Sequence, residues 1–300
     1  MPPPAGGRKG RRYGVSEEVR PRLTAIVTTF NEEVNVQACL ESLGFADEIL
    51  LVDSFSTDRT LAIARSLPGE GSRLRLRIVQ REYFGSAAQK NWAMDQVTTP
   101  WILIVDADER VTEPLAREIL ELLEAGPGAK HYFIRRDNYF LGRLIRHSGW
   151  STDKVVRLFE RGAARYPNRR VHADLATQGP TPTLMHPMVH ETYRSLDQAL
   201  EKLHRYATWA AADAYRAGRR PGLVELVFRP FWRFFRMYGV QAGFLDGRHG
   251  LVLCALQAYG VFLKWARVWE WEMLEKRGLS VSLPAFDEAR ETWEGTGGNG

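Results

Sequence analysis

The stretch WILIVDADER (101–110) ends a run of five apolar residues, Trp101 to Val105, in two carboxylates one alanine apart, Asp106 and Asp108. A carboxylate removed from water is costly unless it is paired or binds a metal. The two acids are therefore either solvated loop residues with the acidic bias of a helix start, or ligands. Two further stretches concentrate oxygen-bearing side chains in the same way, TTFNEE (28–33) and VDSFSTD (52–58). Gln89, Lys90 and Asn91 open another polar stretch, and Lys90 reads either as a phosphate or sugar contact or as a surface lysine. Arg135, Arg136, Arg143, Arg146 and His147 form a basic cluster suited to an acidic or phosphorylated ligand, or to a solubilising surface. His186 and His190 are four residues apart, but Pro187 argues against a helix there, so they are not read as a zinc pair.

These groups need elements to hold them in one place. The first half alternates apolar strands with amphipathic helices. Strands are expected at 23–29, 48–53, 75–80, 101–106 and 131–136, and helices at 32–43, 56–67, 86–97 and 112–125. Ser56 and Thr112 suit N-caps and Gly126 a stop. Such alternation argues for a parallel sheet with right-handed crossovers, in which ligands bind at the carboxyl ends of the strands. TTFNEE, VDSFSTD and DADE all fall at those ends, so the acids line one rim. Residues 137–194 read as loops with short strands, 155–159 among them, and 195–217 as a helix.

The chain has 300 residues, 44% hydrophobic and 26% charged, which is ample for a core. Cys39 and Cys254 are too few for a disulfide framework and suit a reduced, cytoplasmic setting. The opening MPPPAGGRKGRRYG lacks the apolar run of a signal peptide and reads as a disordered basic arm. The formal charge is +5. That balance suits anionic lipid or a phosphorylated ligand; no zinc spacing, aromatic RNA motif or helix-turn-helix supports nucleic acid as a partner.

TTFNEE, VDSFSTD and DAD, in that order at successive strand ends, resemble the inverting family 2 glycosyltransferases of GT-A fold. GSAAQKN (85–91), NYFLGRLIRHSGW (138–150), VVRLF (155–159), FLDG (244–247) and FLKWARVWE (262–270) resemble the subgroup that includes lipopolysaccharide core glucosyltransferases. The likeness covers roughly residues 22–272. It implies an α/β chain with a GT-A domain, Rossmann-like with a mostly parallel sheet, over 22–194. A helical, aromatic and basic region over 195–280 follows, with an arm at 1–21 and a flexible tail at 281–300.

The resemblance also implies a reaction, transfer of glucose or a close relative from a UDP-type nucleotide sugar to a hydroxyl of a lipopolysaccharide-core or other lipid-linked acceptor. Mg²⁺ or Mn²⁺ would stabilise the leaving diphosphate. Asp108 and Asp106 are then the metal ligands, with His172 completing the shell and His190 as its rival. The nucleotide-sugar pocket is Thr28, Phe30, Glu32, Asp53, Ser54, Gln89, Lys90, Asp106 and Ala107. Thr28 and Glu32 also suit helix capping. Inversion needs one base on the acceptor side; Asp153 is the candidate, Asp137 and Asp174 its rivals, and a plain turn residue the alternative. Phe55 replaces a usual glycine and is strained if that position needs φ > 0. Ala173 stands where the subgroup has Glu. An acceptor on polyprenyl phosphate, or a non-catalytic nucleotide-binding or membrane scaffold, are the other readings.

From 223 to 275 the chain turns aromatic and basic. Arg229, Arg233 and Arg236 share one helix face, with Pro230 at a helix start and Phe231, Trp232, Phe234, Phe235 and Tyr238 on the others. Such helices lie flat on anionic membranes. The apolar run 250–263 is short for a span of about twenty residues, which leaves a core or interfacial helix. Peripheral attachment to the cytoplasmic face of a membrane is the expectation.

Overall fold

A computed structural model describes residues 22–67, 75–167 and 175–283. The basic arm, most of the tail, and His172, Ala173 and Asp174 lie outside the described residues. Strands β1 (Leu23–Thr29), β2 (Glu48–Asp53), β3 (Arg75–Gln80) and β4 (Trp101–Asp106) run parallel in the order β3-β2-β1-β4. Their limits coincide with those expected from the sequence. Alternate side chains serve two cores. Ala25, Val27, Leu51, Leu103 and Val105 face helices α1 (Val36–Ser42) and α4 (Glu113–Ala125). Ile26, Leu50, Val52, Ile102 and Ile104 face the other side, with Ala93 and Met94 of α3 (Ser86–Asp95). Thr112 caps α4, its Oγ1 accepting from the Leu115 N–H.

Helices α1 and α2 (Thr60–Ser66) begin four residues later than expected. The reason is local chemistry. The Asn31 N–H donates to Ser56, the Thr57 N–H to Asn31 Oδ1, the Glu32 N–H to Thr60 Oγ1 and the Glu33 N–H to Asp58. The two rim loops are knitted by side chains that compete with the first helical turns, and Ser56 folds back onto Asp53 in place of capping a helix.

The sheet continues differently from its first half. A short strand β5 (Glu109–Arg110) follows β4 directly. β6 (His131–Phe140) does not pair with β4. β8 (Lys154–Glu160) lies between them, antiparallel to both. β7 (Arg143–Leu144) pairs with β6, β9 (Ala164–Arg165) with β10 (Ala176–Thr177), and β11 (Met188–Tyr193) runs parallel to β6 and antiparallel to β5.

The helical region starts with α5 (Leu196–Arg216), capped by Ser195. A helical stretch over 223–240 holds α6 (Arg229–Phe235) between two π-helical turns, Val224–Phe228 and Arg236–Val240. Pro230 lies near the start of α6, and the wider turn before it relieves the clash a proline ring makes with the preceding carbonyls. A 3₁₀ turn, Gly243–Asp246, leads into α7 (Gly247–Lys276). Ala211, Ala212 and Ala214 of α5 admit Trp265, Val268 and Trp271 of α7, and Val281 and Leu283 pack on that cluster.

One joint ties this region to the sheet. Asp246 accepts from the backbone N–H groups of Arg146 and His147 at 3.1 and 3.0 Å, and its Oδ1 lies 3.1 Å from His147 Nδ1. A Cβ at Gly250 would lie 1.9 Å from the Gly243 carbonyl oxygen, so only glycine fits that crossing. FLDG and the 138–150 block are thus two sides of one contact.

Candidate active site

The parallel register brings the rim stretches level, with Thr28 opposite Asp106 and Thr29 opposite Asp53. Asp106 ends β4 with both carboxylate oxygens engaged. Lys90 Nζ lies 2.6 Å from Oδ1, and Arg157 pairs with Oδ2. Arg157 also meets Glu109 at 2.7 Å, and Glu109 accepts from the Asp106 N–H at 2.9 Å. Arg136 links Glu109, at 3.3 Å, to Asp153, which it holds through two hydrogen bonds of 2.9 and 3.0 Å. Asn138 donates to Asp153 at 2.9 Å and sits 2.6 Å from His190 Nδ1. His190 Nε2 is 3.7 Å from Asp108 Oδ2, and Lys202 Nζ is 3.2 Å from the same oxygen. A continuous chain of ion pairs and hydrogen bonds therefore runs from Lys90 to Lys202, through groups as buried as Glu109 (0% exposed) and Arg157 (4%).

Burial alone would raise the carboxyl pKa values, and the paired cations reverse it. Burial works against ionisation of Asp106, but Arg157 and Lys90 hold it well below the ordinary carboxylate range. Burial is likewise outweighed at Asp108, where His190 and Lys202 bring the carboxyl to about 2. Asp153 stays below its usual value against burial because Arg136 and Asn138 bind its charged form. Glu32 goes the other way. Burial raises it, Asn35 offsets part of that, and the charges of Asp108 and Asp106 add to the rise.

The expected site residues divide into three groups. Lys90, Asp106, Asp108, Asp153 and His190 belong to the charge chain, and Glu32 and Thr28 border it. Phe30 projects from the rim, 58% exposed. Asp53, Ser54, Gln89 and Ala107 are buried beneath it. Asp53 accepts from Thr29, Ser56 and Gln80, and Gln89 bridges Ser54 and Arg81, so these residues brace the rim loops. Ala107 packs its methyl in the core. Phe55 has φ 59°, the left-handed conformation its glycine-like position foretold.

Outside the site, His186 and the backbone beside it bind Glu118 of α4. Asp137 alternates with Arg136 and Asn138, which both reach Asp153, so its side chain lies on the opposite face of β6. The expected basic cluster is dispersed. Arg136 joins the charge chain, Arg135 meets the Met185 carbonyl, His147 meets Asp246, and Arg143 and Arg146 face solvent.

Glu109, Arg157, Asn138 and Lys202 are the members that sequence reasoning missed. An arginine in the middle of the apolar strand VVRLF, and a third acid directly after DAD, were the available signals for two of them.

Hard carboxylate oxygens suit Mg²⁺ or Mn²⁺. Asp108 fits that use, because Lys202 and His190 both approach its Oδ2 and neither its Oδ1. Asp106 does not fit, since each oxygen already faces a cation. Among the described residues no three His, Cys, Asp or Glu side chains converge as a metal-binding group.

A mostly parallel sheet continued by antiparallel strands, with an acidic rim at its carboxyl ends and helices appended, is a GT-A domain. The chain belongs to the family described as "Glycosyl transferase family 2", whose model matches residues 24–193. It is a glycosyltransferase. It is 30% identical over 263 residues to the lipopolysaccharide core biosynthesis glycosyltransferase LpsC of Rhizobium meliloti, covering 85% of this chain and 94% of that one. It is 26% identical to an uncharacterised glycosyltransferase of Rickettsia bellii, over 85% and 89% of the two chains. Among solved structures, the mannosyltransferase PcManGT of Pyrobaculum calidifontis, in complex with GDP-Man and Mn²⁺, aligns with a TM-score of 0.49 at 20% identity, over 88% and 91% of the two chains.

Proposed function

We propose that the protein transfers a hexose, glucose or a close relative, from a UDP-type sugar to a hydroxyl of a lipopolysaccharide-core or related lipid-linked acceptor. The observation that carries this reading is the chain of ion pairs and hydrogen bonds along the strand ends. Lys90, Arg157 and Lys202 gather positive charge around carboxylates where a donor diphosphate would lie. The likeness to LpsC supports the choice of acceptor.

The donor lies across the rim, its nucleoside between Thr28, Phe30 and Glu32 over the floor that Asp53 and Ser54 brace. Asp108 would hold a divalent cation together with the donor phosphates, and that cation supplies neutralising charge to the departing diphosphate. The acceptor oxygen attacks the anomeric carbon from the opposite side and forms the new bond there. The bond to the diphosphate oxygen breaks, and its electron pair leaves with the nucleotide. Asp153 takes the acceptor proton. Arg136 keeps Asp153 ionised and oriented, so the base stands ready at neutral pH.

Attachment to the inner face of a membrane is part of this reading. Phe228, Phe231, Trp232 and Phe235 are exposed, in a patch far larger than scattered surface residues make. Arg229 lies over the Trp265 ring and Arg233 reaches Gln257, both on α7, while Arg229 and Arg236 also stay exposed, so this helix turns both aromatic rings and arginines outward. The stretch Gly243–Lys276 is long and apolar enough to cross a membrane, by length and composition, with only 22% of its most apolar window buried. Peripheral binding predicts flotation with anionic liposomes and release by alkaline carbonate; retention after carbonate would make α7 a span.

The decisive test of the site is the melting temperature with UDP, with and without Mn²⁺. Stabilisation should require the metal and vanish in Asp108→Ala. A response to no nucleotide in either protein overturns the donor reading.

A further inference from the structure

We infer that Lys202 competes with a divalent cation for the Asp108 carboxylate, so that the cation enters the site with the nucleotide and not before it. This rests on the reading of Asp108 as the cation's ligand.

Lys202 comes from α5, outside the sheet, yet its ammonium lies 3.2 Å from Asp108 Oδ2 and 3.5 Å from the Thr192 carbonyl, over the Tyr193 ring. Three features hold it there. Ser195 caps the helix start, α5 follows β11 with only Arg194 and Ser195 between them, and α7 backs the helix through the alanine and tryptophan contacts. Lys202 and Asp108 are 24% and 14% exposed, so water screens this pair poorly. His190 approaches the same oxygen at 3.7 Å. The only oxygen of Asp108 clear of both is Oδ1, and a doubly charged ion bound there would stand beside a fixed ammonium. Like charges so close in a part-buried site repel strongly.

A nucleoside diphosphate changes that balance. Its phosphates carry the negative charge that lets the ion and the ammonium occupy the site together, and they give Lys202 a new partner within the same cleft. The carboxylate is thus kept paired when the donor is absent, and the α5 lysine becomes a phosphate contact when it is present. Asp106 cannot take over as ligand, because Lys90 and Arg157 occupy both its oxygens.

The test is titration of the full chain with Mn²⁺, following the spectrum of the free ion by electron paramagnetic resonance, with and without UDP. Wild type should bind Mn²⁺ weakly alone and much more tightly with UDP. Lys202→Met should bind Mn²⁺ alone roughly tenfold or more tightly than wild type and lose most of the dependence on UDP. Lys202→Arg keeps the charge and should behave as wild type. Lys202→Gln replaces the Met variant if melting shows that Lys202→Met does not fold. Equal Mn²⁺ affinity of wild type and the neutral variants without UDP, with binding abolished by Asp108→Ala, overturns the competition and spares the Asp108 reading. No Mn²⁺ binding by any form, even with UDP, overturns both.

Discussion

The sheet rim and the helical region put opposite kinds of residue where folding alone would not. At the rim, charges are buried, with Glu109 and Arg157 nearly sealed from water. In the helical region, aromatic rings are exposed, Phe231 by 64%. Each arrangement is unfavourable taken alone. The rim offsets its cost internally, every acid of the chain meeting a cation. The helical region leaves its cost standing. A rim that is already neutralised suits a ligand bringing its own balanced charge; an uncovered aromatic face suits a phase that dissolves it. On the proposed reading the two regions serve different partners and should fail separately.

Asp153→Asn tests that separation most severely. It removes the proton acceptor but keeps the shape, so turnover should fall by about 10²–10⁴-fold while KM for the donor and liposome flotation stay as they were. A fall in flotation would break the comparison. Arg157→Met should act on folding. It leaves the fully buried Glu109 with Arg136 alone, at 3.3 Å, and Asp106 with Lys90 alone. Breaking a buried pair from one side costs about 3–5 kcal/mol, readable as a lower urea midpoint. Adding Glu109→Leu should recover much of it, because the stranded charge is then gone.

The same contrast explains what was legible in the sequence. Strand limits such as Leu23–Thr29 and Trp101–Asp106 follow from continuous apolar runs, which any buried parallel strand needs. The resemblance, with its usual glycine at position 55, pointed to the left-handed backbone that Phe55 has. Asp106, Asp108 and Asp153 were readable as a set, and Lys90 and Arg136 as nearby cations; Arg157 and Lys202 were not. Arg157 reaches Asp106 only because β8 inserts antiparallel beside β4, a pairing over more than fifty residues that no local pattern encodes. Lys202 depends on how α5 docks. Asp53 read as a nucleotide contact, and its bonds to Thr29, Ser56 and Gln80 were not legible, because a motif fixes residue types and not which way a loop turns them. Arg229, Arg233 and Arg236 read as one helix face, but periodicity groups residues on one side of a helix without saying that Arg233 reaches Gln257 of α7.

A smaller effect belongs to the aromatic face. Phe231→Asp with Phe235→Asp should weaken liposome partition by tenfold or more, at about 1.5–3 kcal/mol per ring buried. Melting temperature and turnover on a detergent-dispersed acceptor should hold. Loss of both would mean that the rings pack against the protein and are not a membrane face.

The smallest expected effect tests the rim from a strained residue, Phe55. Phe55 sits at φ 59° with its ring 55% exposed, between Ser54, which receives a hydrogen bond from Gln89, and Ser56, which binds Asp53. The left-handed conformation costs a side chain about 1–2 kcal/mol, and so exposed a ring recovers little by burial. Phe55→Gly removes that strain but gives the unfolded chain more freedom, a loss of about 0.5–1 kcal/mol. The net should be a gain below about 1 kcal/mol in urea denaturation, near the limit of measurement. The response to UDP then discriminates. If the strain only shapes the loop, stability rises slightly and UDP stabilises the variant as it does wild type. If stability rises while UDP stabilisation falls, the exposed ring is itself a contact for the nucleotide, beside the exposed Phe30 on the same rim.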